Sequence, residues 1–276
     1  SGLVGSEMCI RDRYGFRHEA FTPCYGLAEA TLFVTGGDPR AAPTVRRFDR
    51  RLLDQGRVVE VDAGGECTKT LVSAGSVPRG YDVRIVDPTT GRGCEPGMSG
   101  EIWVAGASVA AGTWRRSTET ATDFRSHLDG ASTTFLRTGD LGFLHGGELF
   151  VCGRLKAMII VRGRNIHAED IEATARESHP LVVAAGALAI EDGVEERLVV
   201  FVELVRKGGS PCCPDVIKAA QAAVLESHGV VPSTIVVLRS GGLPRTTSGK
   251  VRRDACRDRY LPGGDIPDVL PSEVLA

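Results

Sequence analysis

Lys250 is the residue from which chemistry in this sequence is most readily argued. It stands in LPRTTSGKVRR, residues 243–253, behind Thr246, Thr247, Ser248 and Gly249. A Gly-Lys pair after small hydroxyl residues suggests a loop that cradles phosphate, since backbone N–H groups and an ammonium both attract phosphate oxygens. The details exclude that loop. The glycine required five positions before Gly249 is Pro244, which has no N–H to give. The hydroxyl required after the lysine to hold magnesium is replaced by Val251.

Other residues suited to nucleotide chemistry are spread along the chain. They are YGLAE (25–29), RTGD (137–140), GRLK (153–156) and RGRN (162–165). Each alone is commonplace: Thr-Gly-Asp usually marks a turn, a glutamate after a glycine turn a solvated surface, and Gly-Arg a bend with an ion-paired arginine. Their order and spacing, ending in LPRTTSGK, are not commonplace. The set resembles the adenylate-forming superfamily of acyl-CoA synthetases, peptide-synthetase adenylation domains and luciferases. The longer stretches FTPCYGLAEATLFVTGG and FLRTGDLGFLHGGELFVCGRLKAMIIVRGRN are similar to its fatty-acyl-AMP ligase branch. The resemblance covers nearly all of 14–262 and implies the C-terminal half of such an enzyme, without the upstream phosphate loop and most of the acyl pocket.

The reaction implied is attack of a fatty acid carboxylate on the α-phosphate of ATP, giving acyl-AMP and pyrophosphate. Two anions must meet, so preorganised cations are needed. By resemblance Lys250 is the catalytic lysine bridging acyl oxygen and α-phosphate, with its Gly-containing loop supplying reach. Glu29 is the Mg2+ ligand; magnesium takes few protein carboxylates and keeps phosphate oxygens. Tyr25 stacks on adenine, with Gly26 permitting close backbone approach. Asp140 accepts both ribose hydroxyls on its two oxygens, and Arg154 contacts ribose or phosphate. Lys156 is the hinge about which a small C-terminal domain rotates, and Gly163 belongs to the loop brought in for thiol transfer. Two positions depart from the family pattern: Ala157 replaces an acidic residue and Ala168 a proline. His167 is read as structural, and the arginines at 46, 47, 50 and 51 as a solvated surface.

The acceptor thiol is inferred from length. Residues 38–72 carry an extra stretch like the insertion with which fatty-acyl-AMP ligases disfavour coenzyme A, which implies the phosphopantetheine of an acyl carrier protein. An acyl-CoA synthetase is the alternative within the enzyme class. A non-catalytic fragment that binds nucleotide or a partner is the alternative outside it.

These residues must be held by recognisable elements. Short β runs at 81–87, 100–106 and 148–154, each bounded by Gly or Pro, predict a small barrel or twisted antiparallel sheet. A short helix is expected at 117–124, capped by Ser117 or Thr118. Residues 21–35 suggest a short strand, a turn at Gly26 and an apolar run, and 38–70 a polar surface excursion. From 155 to 260 the pattern reads β-α-β-β-α-β, with a helix burying Ile171 and Ala175, strands at 183–190 and 197–204, a helix at 214–229 and a strand at 234–239. The expected fold is mixed α/β and α+β: the end of a large AMP-binding domain (14–154) with a β subdomain, then a small mobile domain (155–276).

The chain has 276 residues, 42% hydrophobic and 25% charged, an ordinary globular composition. Its formal net charge of −2 gives no reason to expect nucleic acid or an anionic membrane as partner, and no apolar run is long enough to span a bilayer. Eight cysteines occur without a CxxC pair, as expected of thiols in a reducing cytoplasm. Residues 1–13 begin with serine, fit nothing that follows and resemble translated adapter sequence; the native sequence is expected to begin near Tyr14.

Overall fold

Tyr25 ends β1 (Cys24–Tyr25), a two-residue strand paired antiparallel with β2 (Thr35–Gly36). Between them the chain makes a 3-10 turn over Ala28–Ala30. The return is so tight that a Cβ on Gly26 would lie 1.4 Å from the Leu32 carbonyl oxygen. Only glycine fits there, so the turn expected at Gly26 is built on a close approach within the chain itself. The computed structural model describes residues 15, 17–62, 68–161, 164–191, 196–205, 213–247 and 249–260. Residues 1–13, with the expectation attached to them, lie outside these. The chain divides into two units, one ending at Lys156 and one running from Ala157 onward.

The region read as a polar excursion is folded. β3 (Val45–Asp49) pairs antiparallel with β4 (Thr68–Val72), and the short helix α1 (Arg50–Asp54) lies between them. The Asp49 carboxylate caps α1 by accepting the Leu52 N–H at 2.9 Å. Arg46, at 3.3 Å from Glu60, is part of an exposed ion pair. The structure differs from expectation because Phe48, fully buried, and Leu53 beside it anchor the segment.

Phe48 meets the main sheet of this unit. Its strands are β5 (Tyr81–Val86), β6 (Gly100–Gly106), β7 (Ser126–His127), β8 (Thr134–His145) and β9 (Glu148–Arg154), in the order β5-β6-β8-β7 with β9 also pairing β8. All pairs are antiparallel, as the β runs predicted. The Phe48 ring stands edge-on to Phe143 at 4.9 Å and Phe150 at 5.5 Å between centroids, a favoured aromatic geometry. Ile102, Val104, Val83 and Leu149 form a second cluster with Tyr25. Helix α2 (Ser117–Phe124) has the expected span, but its cap is Arg116 and no side chain closes it; Thr120 instead binds the Thr113 backbone.

In the C-terminal unit, β10 (Met158–Val161) and β11 (Arg164–His167) form a hairpin. Then come α3 (Ala168–Glu177), β12 (Val182–Glu191), β13 (Glu196–Leu204), α4 (Cys213–His228), β14 (Thr234–Leu238) and α5 (Arg253–Tyr260). The sheet order is β12-β13-β14, with β13 and β14 parallel. Ile171 and Ala175 of α3 are fully buried, in one cluster with Val216, Ala220 and Val224 of α4 and Val200, Val202 and Val237 of the sheet. Phe201 and Leu238 lie in another cluster with Cys256 and Tyr260 of α5. The observed pattern adds β11 and α5 to the expected one. Arg164–His167 reads as a turn running into a helix, yet it pairs as a strand, because Ile166 alternates into the core. Ala168 takes the first helical position, where proline is tolerated but not required. Among the described residues, no helix is long and apolar enough to cross a membrane.

Phe48→Ala should cost about 3–5 kcal/mol of the stability of this unit, the usual range for emptying a buried aromatic site. Urea denaturation reads the loss, and faster protease cutting within 38–72 localises it; a loose excursion would show neither.

Candidate functional site

Three of the sequence motifs meet on one carboxylate. The Tyr25 hydroxyl donates to Asp140 Oδ2 at 2.7 Å, and Arg154 Nε donates to Asp140 Oδ1 at 2.7 Å. Asp140 comes from β8, Tyr25 from β1 and Arg154 from the end of β9, where it stands opposite Asp140 in the ladder. The Asp140 side chain is 9% exposed and that of Arg154 is 62% exposed, so the arginine covers the carboxylate from the solvent side. A carboxylate offers about four lone-pair sites, of which these two bonds use two. Capacity for hydroxyl donors therefore remains.

Asp140 is aimed by a bulge. Along β6 the pairing runs from Glu101 to Trp103, while along β8 it runs from Leu141 to Arg137. Thr138, Gly139 and Asp140 thus stand against Ile102 alone, and the excess leaves the ladder. Bulges commonly redirect a side chain beside a site. Their cost is main-chain groups without ladder partners. Glu101 meets that cost. Its Oε1 accepts the Gly139 N–H at 3.2 Å, and its Oε2 accepts Arg137 Nη2 at 2.8 Å and the Trp103 indole N–H at 2.9 Å. Arg137 also lies over the Trp103 ring, 5.5 Å from its centroid. Thr138 completes the bulge by donating to the Ile102 carbonyl at 2.7 Å and accepting the Asp140 N–H at 3.1 Å.

Sequence reasoning missed Glu101. A signal was present: in GEIWVAG it is the one charged residue in an apolar strand, and a charge in such a place requires a partner. Tyr25, read as a stacking ring, is 8% exposed and packed in the core. Burial first, and then the Asp140 carboxylate, push its phenol well above the ordinary tyrosine range.

Glu29 is exposed on the 3-10 turn. That turn is braced by the Ala110 N–H on the Glu29 carbonyl at 2.7 Å and by Ser108 Oγ on the Ala30 carbonyl at 2.9 Å. No cluster of His, Cys, Asp and Glu that could hold a metal is found among the described residues. The fit to magnesium is that of a single carboxylate that could complete a shell built on phosphate oxygens. Lys156 is exposed in a 3-10 turn, Leu155–Ala157, where the first unit ends.

Lys250 is carried by the C-terminal unit and is exposed. Its segment is a built hairpin, where a slack reaching loop was expected. Arg245 bridges Val251. The Thr246 N–H donates to the Lys250 carbonyl at 2.8 Å, and the Lys250 N–H donates to Thr246 Oγ1 at 3.1 Å. Gly249 takes φ +84°, the left-handed region that a tight turn needs. The hydroxyl of Thr246 thus supplies closure of the turn, as such side chains do in turns. Gly163 lies outside the described residues; His167, read as structural, is buried.

The model of the AMP-binding enzyme family matches residues 5–114, and that of the AMP domain of Disco-interacting-protein-2-like proteins matches residues 156–264. The chain is 40% identical over 256 residues to the medium-chain-fatty-acid–[acyl-carrier-protein] ligase JamA of Moorena producens, covering 91% of this chain and 43% of that protein. It is 40% identical over 261 residues to the long-chain-fatty-acid–AMP ligase FadD26 of Mycobacterium tuberculosis, covering 91% and 44%. A solved structure from work on fatty acyl-adenylate ligases of E. coli and L. pneumophila superposes with a TM-score of 0.76 at 30% identity, over 91% of this chain and 43% of that one. The chain spans less than half the length of these relatives.

The Tyr25 bond to Asp140 has a consequence in alkali. In the unfolded chain the phenol ionises near pH 10, while in the fold it stays protonated, so the unfolded state binds fewer protons and stability falls as pH rises past about 10. Tyr25→Phe should lose about 0.5–1.5 kcal/mol at pH 7 and show a flatter alkaline decline, read by urea denaturation across pH.

Proposed function

We propose, for a chain that belongs to the adenylate-forming superfamily of AMP-binding enzymes, that its complete protein is a fatty-acyl-AMP ligase. It activates a fatty acid as acyl-adenylate with ATP and passes the acyl group to the phosphopantetheine of an acyl carrier protein. The observation that supports this most is the meeting of Tyr25, Asp140 and Arg154 at one carboxylate, in a chain 40% identical to such ligases over 91% of its length.

Asp140, set by the bulge that Glu101 and Thr138 brace, accepts the ribose hydroxyls on its remaining lone pairs. Arg154 moves from Asp140 toward the nucleotide, its charge kept near the phosphates. Tyr25 fixes the Asp140 carboxylate from the core side, and its ring edge borders the adenine; Gly26 shapes the turn that brings Glu29 forward. Glu29 would hold Mg2+, which when bound would neutralise phosphate charge and orient the leaving pyrophosphate. Lys250 brings a cation to the oxygens on which negative charge grows as carboxylate meets α-phosphate. Lys156 is the hinge, and Gly163 belongs to the segment that serves thiol transfer.

Carrier protein is favoured over coenzyme A because the described part of the insertion at 38–72 is anchored structure, with Phe48 edge-on to the stacked rings of Phe143 and Phe150. A neutral lengthening of a surface loop would need no such anchor. We place the enzyme in the cytoplasm, in keeping with eight cysteines and no CxxC pair.

The complete enzyme, given fatty acid, ATP and magnesium, should release pyrophosphate and accumulate acyl-AMP. Offered holo carrier protein it should transfer the acyl group; rapid acyl-CoA formation with coenzyme A instead would overturn the choice of acceptor. Lys250→Ala should lower adenylation by about 10²–10³-fold, as loss of one preorganised charge-stabilising group does, with an unchanged circular dichroism spectrum. The 276-residue chain alone should make no acyl-AMP; fatty acid-dependent pyrophosphate release by it would contradict the reading that half its pocket is supplied by preceding sequence.

A further inference from the structure

The hairpin that carries Lys250 needs something to fix it to the body of its unit. Its own bonds close the turn but do not set where the turn points. Three groups just ahead of it, the N–H groups of Gly241 and Leu243 and the guanidinium of Arg245, converge on Glu203 of β13. Glu203 Oε1 accepts the Gly241 N–H at 3.1 Å, and Oε2 accepts the Leu243 N–H at 3.2 Å and Arg245 Nη2 at 3.3 Å. Glu203 is 7% exposed and sits in the central strand of a three-stranded sheet. A buried carboxylate is tolerated where charge-assisted bonds satisfy it.

We propose that Glu203 is a positioning residue for Lys250. It clamps the entry of the hairpin to the sheet, and so sets the place and direction from which the lysine is presented. The significance for catalysis rests on the function proposed above; the clamp itself does not.

Other contacts of the hairpin agree. The exit of the hairpin is held as well: Arg253 donates to Glu172 at 2.8 Å, to Glu169 at 3.1 Å and to the Ala187 carbonyl at 3.1 Å. The two feet of the hairpin share a seat. Leu243 and Val251 both rest over Gly186 of β12, where an added Cβ would come within 3.2 Å of each. The Tyr260 hydroxyl donates to the Gly242 carbonyl between the two N–H groups that Glu203 holds. Together with the Arg252 N–H on the Pro244 carbonyl at 2.9 Å, these bonds leave the hairpin little freedom except at its tip. An exposed lysine gains little from being mounted so firmly unless its position matters. For a cation that must meet developing charge, a misplacement of about 1 Å costs on the order of 100-fold in rate.

A role in folding alone and a role in positioning give different results. In the complete enzyme, Glu203→Ala and the milder Glu203→Gln should lower kcat for acyl-adenylate formation by about 10- to 100-fold and about 3- to 10-fold respectively. KM for ATP should stay within about twofold, since the clamp bonds only to Gly241, Leu243 and Arg245 of the segment leading to Lys250, and none of its bonds involves Tyr25, Asp140 or Arg154. Transfer of the acyl group from supplied acyl-adenylate to carrier protein should also stay within about twofold, because the lysine serves the first half-reaction. Amide exchange at Lys250, Val251 and Arg252 should rise by about tenfold in Glu203→Ala while the β12–β13 ladder stays protected. Equal loss in both half-reactions, or unchanged exchange at the hairpin, overturns the proposal; should the alanine variant not fold, the glutamine variant carries the same measurements. If the unsubstituted enzyme makes no acyl-adenylate, the proposed function fails, and the exchange measurement still decides whether Glu203 fixes the hairpin.

Discussion

A main-chain bulge held by a buried carboxylate is the constraint on which the first unit turns. Strand β8 cannot both stay in register with β6 and present Asp140 beside Tyr25, because regular pairing would return its residues strictly alternately to the two faces. The bulge at Thr138-Gly139-Asp140 breaks that alternation. It also strips main-chain groups of ladder partners, which inside a protein is affordable only with replacements. Glu101 accepts the Gly139 N–H, and Thr138 accepts the Asp140 N–H and donates to the Ile102 carbonyl, while the Arg137 charge and the Trp103 indole settle the carboxylate in turn. Asp140 then lies where β1 and the end of β9 can reach it from either side.

The C-terminal unit applies the same physics to a different segment. Glu203, also from a sheet strand, also buried, gathers main-chain N–H groups and an arginine from the irregular chain leading to Lys250. In both units the candidate site residue sits on or beside irregular backbone, whose N–H groups point in directions no ladder would use. A carboxylate suits that situation better than a neutral acceptor. Its bonds to N–H are charge-assisted, and its two oxygens can serve donors in different directions. The regular sheet behind each glutamate supplies the rigidity that the irregular segment lacks.

Much of the scaffold is legible along the chain because it depends on local pattern. The alternation in YDVRIV and GEIWVAG, the helix at 117–124, and the spacing of Ile171 and Ala175 on α3 all read correctly. Each is a pattern confined to one element. The segment at 38–72 reads poorly because its anchors, Phe48 and Leu53, are few and irregularly spaced, and their partners Phe143 and Phe150 lie about a hundred positions away. β11 is missed because its pairing with β10 outweighs a local sequence that resembles a turn and helix start. The cap of α2 is misjudged by position: the helix already includes Ser117, so the cap falls one residue earlier, on Arg116, whose side chain does not close it.

The residue types that bear on chemistry, and the family they indicate, were set by the sequence alone: the order YGLAE, RTGD, GRLK, LPRTTSGK is information carried in one dimension. So was the exclusion of a phosphate loop at 244–251, since proline lacks a donor wherever it is placed. What holds those residues was decided by tertiary structure. That Tyr25 is a buried donor to Asp140, that Thr-Gly-Asp is a bulge rather than a turn, and that Lys250 rides a braced hairpin all depend on carboxylates from distant strands. The physical reason is that hydrogen bonds of this kind are fixed by three-dimensional direction and by the removal of water. Neither is written in the spacing of residues along a chain.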